Sequence, residues 1–310
     1  MKTFQKIILG LIAIITTGNF LNAHSALSDT LYVAASALNL REQPHANAPI
    51  LTVVEYGEAV NVSNAGPQEV IPHSGKWVEV KYGSYYGYMH SDYLTTGYEL
   101  LMPWAPAPAY LPNLNWYAVF STDGGDSLRR VELQIEDGPD MGKFATVKGP
   151  YKYDAFMIIG SIQPLPEGQV GSNPDLCPET EALYPGMSRP IYWTDPTAIQ
   201  QYQLNVYGTY TTTPEGYPMY QDYRIQASCY SFNTHSSCDQ ILFTVPQEQA
   251  FWEPIYLLWE GDLNQDGWPD FILMDNQSDF SGTYNLYLGQ TPEAGKVVRK
   301  VASFEEWDRC

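Results

Sequence analysis

Basic side chains are scarce in this chain of 310 residues: 16 Lys and Arg stand against 35 Asp and Glu, a formal net charge of -19. Affinity for nucleic acid or for an anionic membrane rests on basic groups that neutralise phosphates, so both partners are excluded. Histidine is nearly as scarce, and beyond Tyr110 only His235 remains. Zinc peptidases need a His-rich ligand set, and a serine triad needs a His beside its nucleophile, commonly on a Gly-x-Ser-x-Gly elbow that is missing here. Cysteine numbers four with no Cys-x-x-Cys pair, which argues against a zinc thiolate site. Charged residues are few at 16%, yet aromatics reach 14%, and that excludes a disordered acidic tail, which would be poor in rings. After the first segment no apolar run approaches the ~20 residues that span a bilayer.

What is present begins with an address. Met1 to Ala26 carries Lys2 and Lys6, then the apolar stretch Ile7 to Ile15, then small residues around Ala23 to Ala26, the layout of a secretory signal peptide. No Cys lies near the cleavage region, which disfavours a lipid anchor. The expectation is an exported protein, periplasmic or extracellular, with no stable membrane insertion after cleavage. In that oxidising compartment Cys177, Cys229, Cys238 and Cys310 read as disulfides. Cys229 and Cys238 are nine apart, a spacing that suits closure of a hairpin, and Cys177 with Cys310 would then pin the end of the chain. Crossed pairing stays open, because sequence does not fix connectivity.

Short runs rich in Val, Tyr and Leu alternate with turn residues from Leu31 to Leu94, the pattern of a small β-barrel. Leu38, Leu40, Val60, Val62, Val78 and Val80 are its inward positions, with Gly57 and Gly87 where a Cβ would obstruct a turn. The ordered motifs Leu38-Asn39-Leu40-Arg41-Glu42-Gln43-Pro44, Val54 to Val60, Gly75-Lys76-Trp77-Val78-Glu79-Val80 and Gly87 to Leu94 resemble a bacterial SH3 (SH3b) domain over residues 29–95. One departure is the longer connection from Ser63 to Gly75, which bears on one edge of any groove. The resemblance implies a barrel that binds peptidoglycan stem peptide or an envelope protein. Trp77, Tyr85, Tyr86 and Tyr88 are the candidate ligand residues, since flat rings give a large contact area at low entropy cost. Trp77 and Tyr88 also read as core, and of the adjacent Tyr85 and Tyr86 only one can face inward. His73 and His90 read as surface and turn residues.

Residues 96–112 read as an extended linker, in which Leu101 to Pro112 holds four prolines and no charge. Residues 113–310 show a series of β-rich runs and no long amphipathic helix, which predicts an antiparallel β-sandwich or open barrel. Short helices are expected at Thr194 to Gln203 and at Glu293 to Val301. The fold class is therefore all-β, an SH3b barrel followed by a larger β domain.

The sharpest chemical signal is Gly261-Asp262-Leu263-Asn264-Gln265-Asp266-Gly267-Trp268-Pro269-Asp270. Oxygen ligands at alternate positions, then Gly, then another carboxylate, wrap a chain around Ca2+, which takes six to eight oxygens. Asp262, Asn264 and Asp266 would supply side chains, Trp268 a backbone carbonyl, and Asp270 a side chain directly or through water. The loop resembles the calcium loops of FG-GAP and VCBS repeat proteins. It lacks the EF-hand Glu, because the twelfth position is Leu273, and it occurs once, which argues against a propeller. An acidic β-turn without metal is the other reading. The stretch from Ile255 to Cys310 also resembles the tail of exported bacterial proteins, a resemblance that carries no activity.

The combined expectation is a non-catalytic exported protein that binds cell-wall peptide or a protein ligand, with a calcium-stabilised β domain. The alternative is a cell-envelope hydrolase with a carboxylate pair in the second domain.

Overall fold

Alternation of apolar and polar residues dictates strands throughout, and the computed structural model contains no α-helix among the residues it describes. These are 30–63, 74–103, 113–122, 124–138, 142–150, 154–172, 181–191, 200–214, 216, 218–233, 235–245, 253–278, 281–293 and 296–307. The expected signal peptide, most of the Pro-rich segment, His73, Cys177 and Cys310 lie outside the described residues.

The barrel comprises β1 (Thr30–Val33), β2 (Ala37–Arg41), β3 (Ile50–Glu55), β4 (Ala59–Val62), β5 (Trp77–Tyr82), β6 (Tyr85–His90) and β7 (Leu94–Thr95), in the order β3-β2-β6-β5-β4-β1-β7. Leu40, Val60, Val78 and Val80 are buried in its core with Leu31, Val54, Met89 and Leu94, and Leu38 and Val62 pack against them. Gly57 takes φ +79, as its turn requires. Gly87 has a different reason from the one expected. It lies within β6, where a Cβ would meet the Arg41 carbonyl at 2.4 Å, so close approach of β2 demands glycine there.

The chain continues through β8 (Tyr98–Leu101), β9 (Asn115–Thr122), β10 (Gly125–Arg130), β11 (Leu133–Gly138), β12 (Gly142–Val147), β13 (Ala155–Ser161) and β14 (Gly168–Gln169). β11 and β12 form a separate hairpin, and the others make a sheet ordered β14-β10-β9-β13-β8. Tyr98–Leu101, read from sequence as the start of the linker, is thus an edge strand paired with β13, and Leu100 and Leu101 are buried.

Next come β15 (Glu181–Leu183), β16 (Ser188–Pro190), β17 (Gln200–Thr212), β18 (Pro218–Ser231), β19 (Ser236–Thr244), β20 (Ile255–Gly261), β21 (Asp270–Ser278), β22 (Ser281–Glu293) and β23 (Lys296–Trp307). They form two sheets, β15-β20-β21-β22-β23 and β16-β17-β18-β19. The first of these is the middle layer of a three-layer stack. Ile272, Leu286, Leu288, Val301 and Phe304 join the core shared with the β8–β14 sheet. Leu257, Phe271, Leu273, Tyr287 and Val297 join the core shared with β16–β19. A sheet buried on both faces needs runs apolar at every position, which is what Ile255 to Trp259 and Phe271 to Met274 supply. Each side chain fully buried this way contributes about 1.5–3 kcal/mol.

Two expectations fail here. Gln200 to Gln203 begins β17 and Lys296 to Val301 lies in β23, so the described residues of both segments are strand where a helix was expected. Val297, Val298 and Val301 are β-branched and buried, and a strand buries them in two different cores, which one helical stripe does not do.

Polar pins tie the layers together. Trp259 Nε1 donates to Asp126 Oδ2 at 2.9 Å between the first and middle sheets. The Tyr223 hydroxyl donates to the Leu183 carbonyl at 2.6 Å and accepts from Ile255 N–H at 3.2 Å. Arg189 bridges Glu181 and the fully buried Glu260 side chain, each at 2.7 Å.

Candidate functional site

Strand parity decides which barrel residues face outward. Gly87 and Met89 point into the core, so Tyr86, Tyr88 and His90 share the outer face of β6, and Trp77, Glu79 and Lys81 share that of β5. The register sets Trp77 opposite His90, Glu79 opposite Tyr88 and Lys81 opposite Tyr86. The Trp77 and His90 rings meet edge to face at 5.3 Å, His90 lies 6.0 Å from the Tyr93 ring, and Lys81 Nζ sits 5.3 Å from the Tyr86 centroid. Trp77 and Tyr88 are half-buried outer-face residues rather than core. Tyr85 belongs to the opposite parity and is exposed only because it sits at the hairpin end.

His90 and Tyr93 join this strip although sequence reading passed over both. His90 is the last residue of β6 rather than a turn residue. Counting by twos from Tyr86 would have found it. The Ser91 and Asp92 that follow have a structural task. Ser91 Oγ accepts from Lys76 N–H at 3.0 Å and Asp92 Oδ1 from Gly75 N–H at 2.9 Å, which fastens the 3-10 turn Ser91–Tyr93 to the start of β5. That holds Tyr93 beside His90.

The acidic loop leads from β20 to β21. Asp262 accepts N–H bonds from Asp266 at 3.1 Å and Gly267 at 3.0 Å, Asn264 Oδ1 accepts from Asp266 at 3.2 Å, and Asp266 Oδ1 accepts from Trp268 at 2.9 Å. Gln265 and Gly267 take positive φ, which coils the chain around its own carboxylates. Asp270 is fully buried; its oxygens accept from Leu263 N–H at 2.7 Å and Gly289 N–H at 2.8 Å. The Trp268 ring packs against the second core, 6.1 Å from Tyr202.

Burial pushes the Asp270 carboxyl well above the ordinary carboxylate range; the two N–H bonds pull it down, and the charges of Asp266 and Asp262 add to the rise. Asp262 is likewise raised, first by burial. Among the described residues no group of three His, Cys, Asp or Glu stands as a ready metal cage. Asp270 serves as a backbone anchor in this arrangement, while Asp262, Asn264 and Asp266 line the coil. A hard cation would suit this donor set, since it would offset the repulsion between the half-buried Asp262 and the exposed Asp266.

Two of the other buried acids hold bonds between layers: Asp126 accepts from Trp259 and Glu260 from Arg189, while Asp275 on β21 is buried as well. Cys229 and Cys238 sit opposite each other on β18 and β19, Cα atoms 5.2 Å apart, and are bonded as the hairpin reading expected.

Residues 36–95 match the bacterial SH3 domain family, so the N-terminal barrel is of that class. The family binds peptidoglycan or proteins in bacteria. No curated protein and no solved structure matches the chain.

Proposed function

We propose that the protein is an exported bacterial binding protein whose SH3 barrel engages a cell-wall stem peptide or an envelope protein, and that it is not an enzyme. The observation that carries this reading is the outward strip of Trp77, Tyr86, Tyr88, His90 and Tyr93 on an SH3 barrel. Exposed rings on the rigid β5–β6 hairpin supply contact area without a large ordering cost. The non-catalytic part is supported by Asp126, Glu260 and Asp270, whose carboxylates are engaged in bonds that hold sheets together. Calcium at Asp262, Asn264 and Asp266 would steady the loop from β20 to β21, close to the barrel exit, because the Tyr98 hydroxyl on β8 meets the Asn264 side chain.

Retention of the full chain on purified peptidoglycan tests the first part. Tyr86→Ala with His90→Ala is expected to weaken retention, and equal retention of this variant and the wild type would sink the assignment of the surface. Zymography on the same material is expected to show no clearing. For calcium, the melting temperature is expected to fall when chelator is added and to become insensitive to chelator in Asp262→Ala. A wild type indifferent to both calcium and chelator would remove the ion from the account.

A further inference from the structure

The outer sheet β16–β19 has one face in the second core and one in solvent. Tyr202, Leu204 and Val206 on β17, and Tyr223, Ile225, Ala227 and Cys229 on β18, are buried inward. Their neighbours Gln203, Asn205, Tyr207, Gln226, Ser228 and Tyr230 therefore point away. Asn205 stands opposite Gln226, Gln203 opposite Ser228, and Tyr207 opposite Arg224.

Solvated sheet faces are polar as a rule, but this one is polar in an unusual way. The chain carries 35 acids, yet from Gln203 to Tyr207 on β17 and from Arg224 to Tyr230 on β18 the outward residues include none, and the one cation there, Arg224, is laid over the Tyr207 ring at 4.6 Å. Two acids flank this stretch: the exposed Asp222 two residues before Arg224 on β18, and Asp239 on β19, opposite Ser228. The centre is a floor of amides and hydroxyls tied to one another: Ser188 Oγ donates to Asn205 Oδ1 at 2.7 Å, and Asn205 Nδ2 donates to Ser228 Oγ at 2.8 Å. Exposed rings close both ends. Tyr207 is 40% exposed and Tyr230 37%. The Tyr230 ring packs against Phe232 at 5.0 Å and its hydroxyl lies 3.3 Å from His235 Nδ1, on the hairpin stapled by Cys229 and Cys238. Tyr230 lies six residue steps along β18 from Arg224, the partner of Tyr207, a span of about 20 Å at about 3.4 Å per residue.

A protein partner meets an apolar centre inside a polar rim, and this surface is the reverse, a polar centre between aromatic ends. An ionic ligand would need charge in the floor between Tyr207 and Tyr230, where β17 and β18 place amides and hydroxyls. A neutral polymer of sugars matches it: hydroxyls and acetamido groups pair with amides that both donate and accept, and the flat C–H faces of the rings stack on tyrosine. The length of the floor admits a chain rather than a single sugar.

We infer that the outer face of β17 and β18, between Tyr207 and Tyr230, binds a neutral chain of N-acetylated sugars laid along the strands. The inference rests on the wall-binding reading for its source, the glycan strand on which stem peptides are mounted. The two surfaces then read different parts of one polymer.

Titration of the full chain with the hexamer of N-acetylglucosamine, a probe without any peptide, separates the two ideas. The wild type is expected to bind it, Tyr207→Ala with Tyr230→Ala to weaken binding about tenfold or more, and Tyr86→Ala with His90→Ala on the barrel to leave it unchanged. Gln226→Ala, a truncation on the solvent face, is expected to weaken binding without altering the melting temperature, and covers the case in which the tyrosine pair disturbs the sheet. Absence of hexamer binding by the wild type overturns the inference, as does unchanged binding by Gln226→Ala and the tyrosine pair. Neither result bears on retention of peptidoglycan through the barrel.

Discussion

Gly289 shows how a single position is set by something far off in the chain. It lies in β22, and a Cβ there would stand 2.6 Å from the Pro269 carbonyl oxygen and 2.7 Å from Trp268 Cβ. Its N–H meanwhile reaches Asp270. The acidic loop can therefore lie flat on β22 only if that strand has no side chain at this point. Gly289→Ala is expected to cost about 1–3 kcal/mol through forced displacement of the loop, read as a lower urea midpoint with an unchanged slope. Asp262, Asn264 and Asp266 were legible in the sequence because their spacing is local. Gly289 was not, because its partner loop is distant in the chain and no pattern within β22 announces it.

At the scale of elements, the strand runs were mostly legible, while their grouping into sheets was not. Tyr223 on β18 illustrates what joins them, bonded to Leu183 on β15 and Ile255 on β20. Burial pushes its phenol far above the ordinary tyrosine range, with the Ile255 N–H pulling the other way. A folded-state pKa raised above the unfolded value means stability that is fully present below about pH 10 and lost as pH climbs toward the folded-state pKa. Tyr223→Phe is expected to lower stability at neutral pH by about 1–3 kcal/mol, since a buried carbonyl and N–H lose their partner. It is also expected to make the decline above about pH 10 shallower. Urea titrations at neutral and alkaline pH check both; burial also raises Tyr98, Tyr220 and Tyr256, so part of the decline persists.

Across the whole molecule the barrel is docked on the stack rather than tethered beside it. Ala34 belongs to the main core, Tyr32 and Tyr56 pack against it, Asn113 Nδ2 donates to the Ala34 carbonyl at 3.1 Å, and the Tyr56 hydroxyl donates to the Ile162 carbonyl at 3.5 Å. The barrel also has a core of its own, led by Leu31, Leu40, Val60 and Val80. A charge placed at the seam should therefore undock the barrel without unfolding it. Ile162→Asp, at a residue 5% exposed, is expected to increase the radius of gyration in small-angle scattering and to split thermal unfolding into two transitions. A compact variant with one transition would show that the two parts fold as one unit.

By itself the sequence determined the all-β class, the barrel with its inward positions, a hairpin spacing for Cys229 and Cys238 though not their pairing, and the coil of Asp262 to Gly267. Each depends on residues close in the chain or on strand periodicity, where pleat and turn chemistry act locally. Only the tertiary structure decided that the middle sheet is covered on both faces, that Tyr98–Leu101 is an edge strand and not linker, and that His90 and Tyr93 complete the outer strip with Trp77. It also decided that Tyr207 and Tyr230 bound a stretch of β17 and β18 whose outward residues are amides and hydroxyls. Those facts depend on which apolar surfaces meet, and burial between distant segments leaves no trace in local spacing.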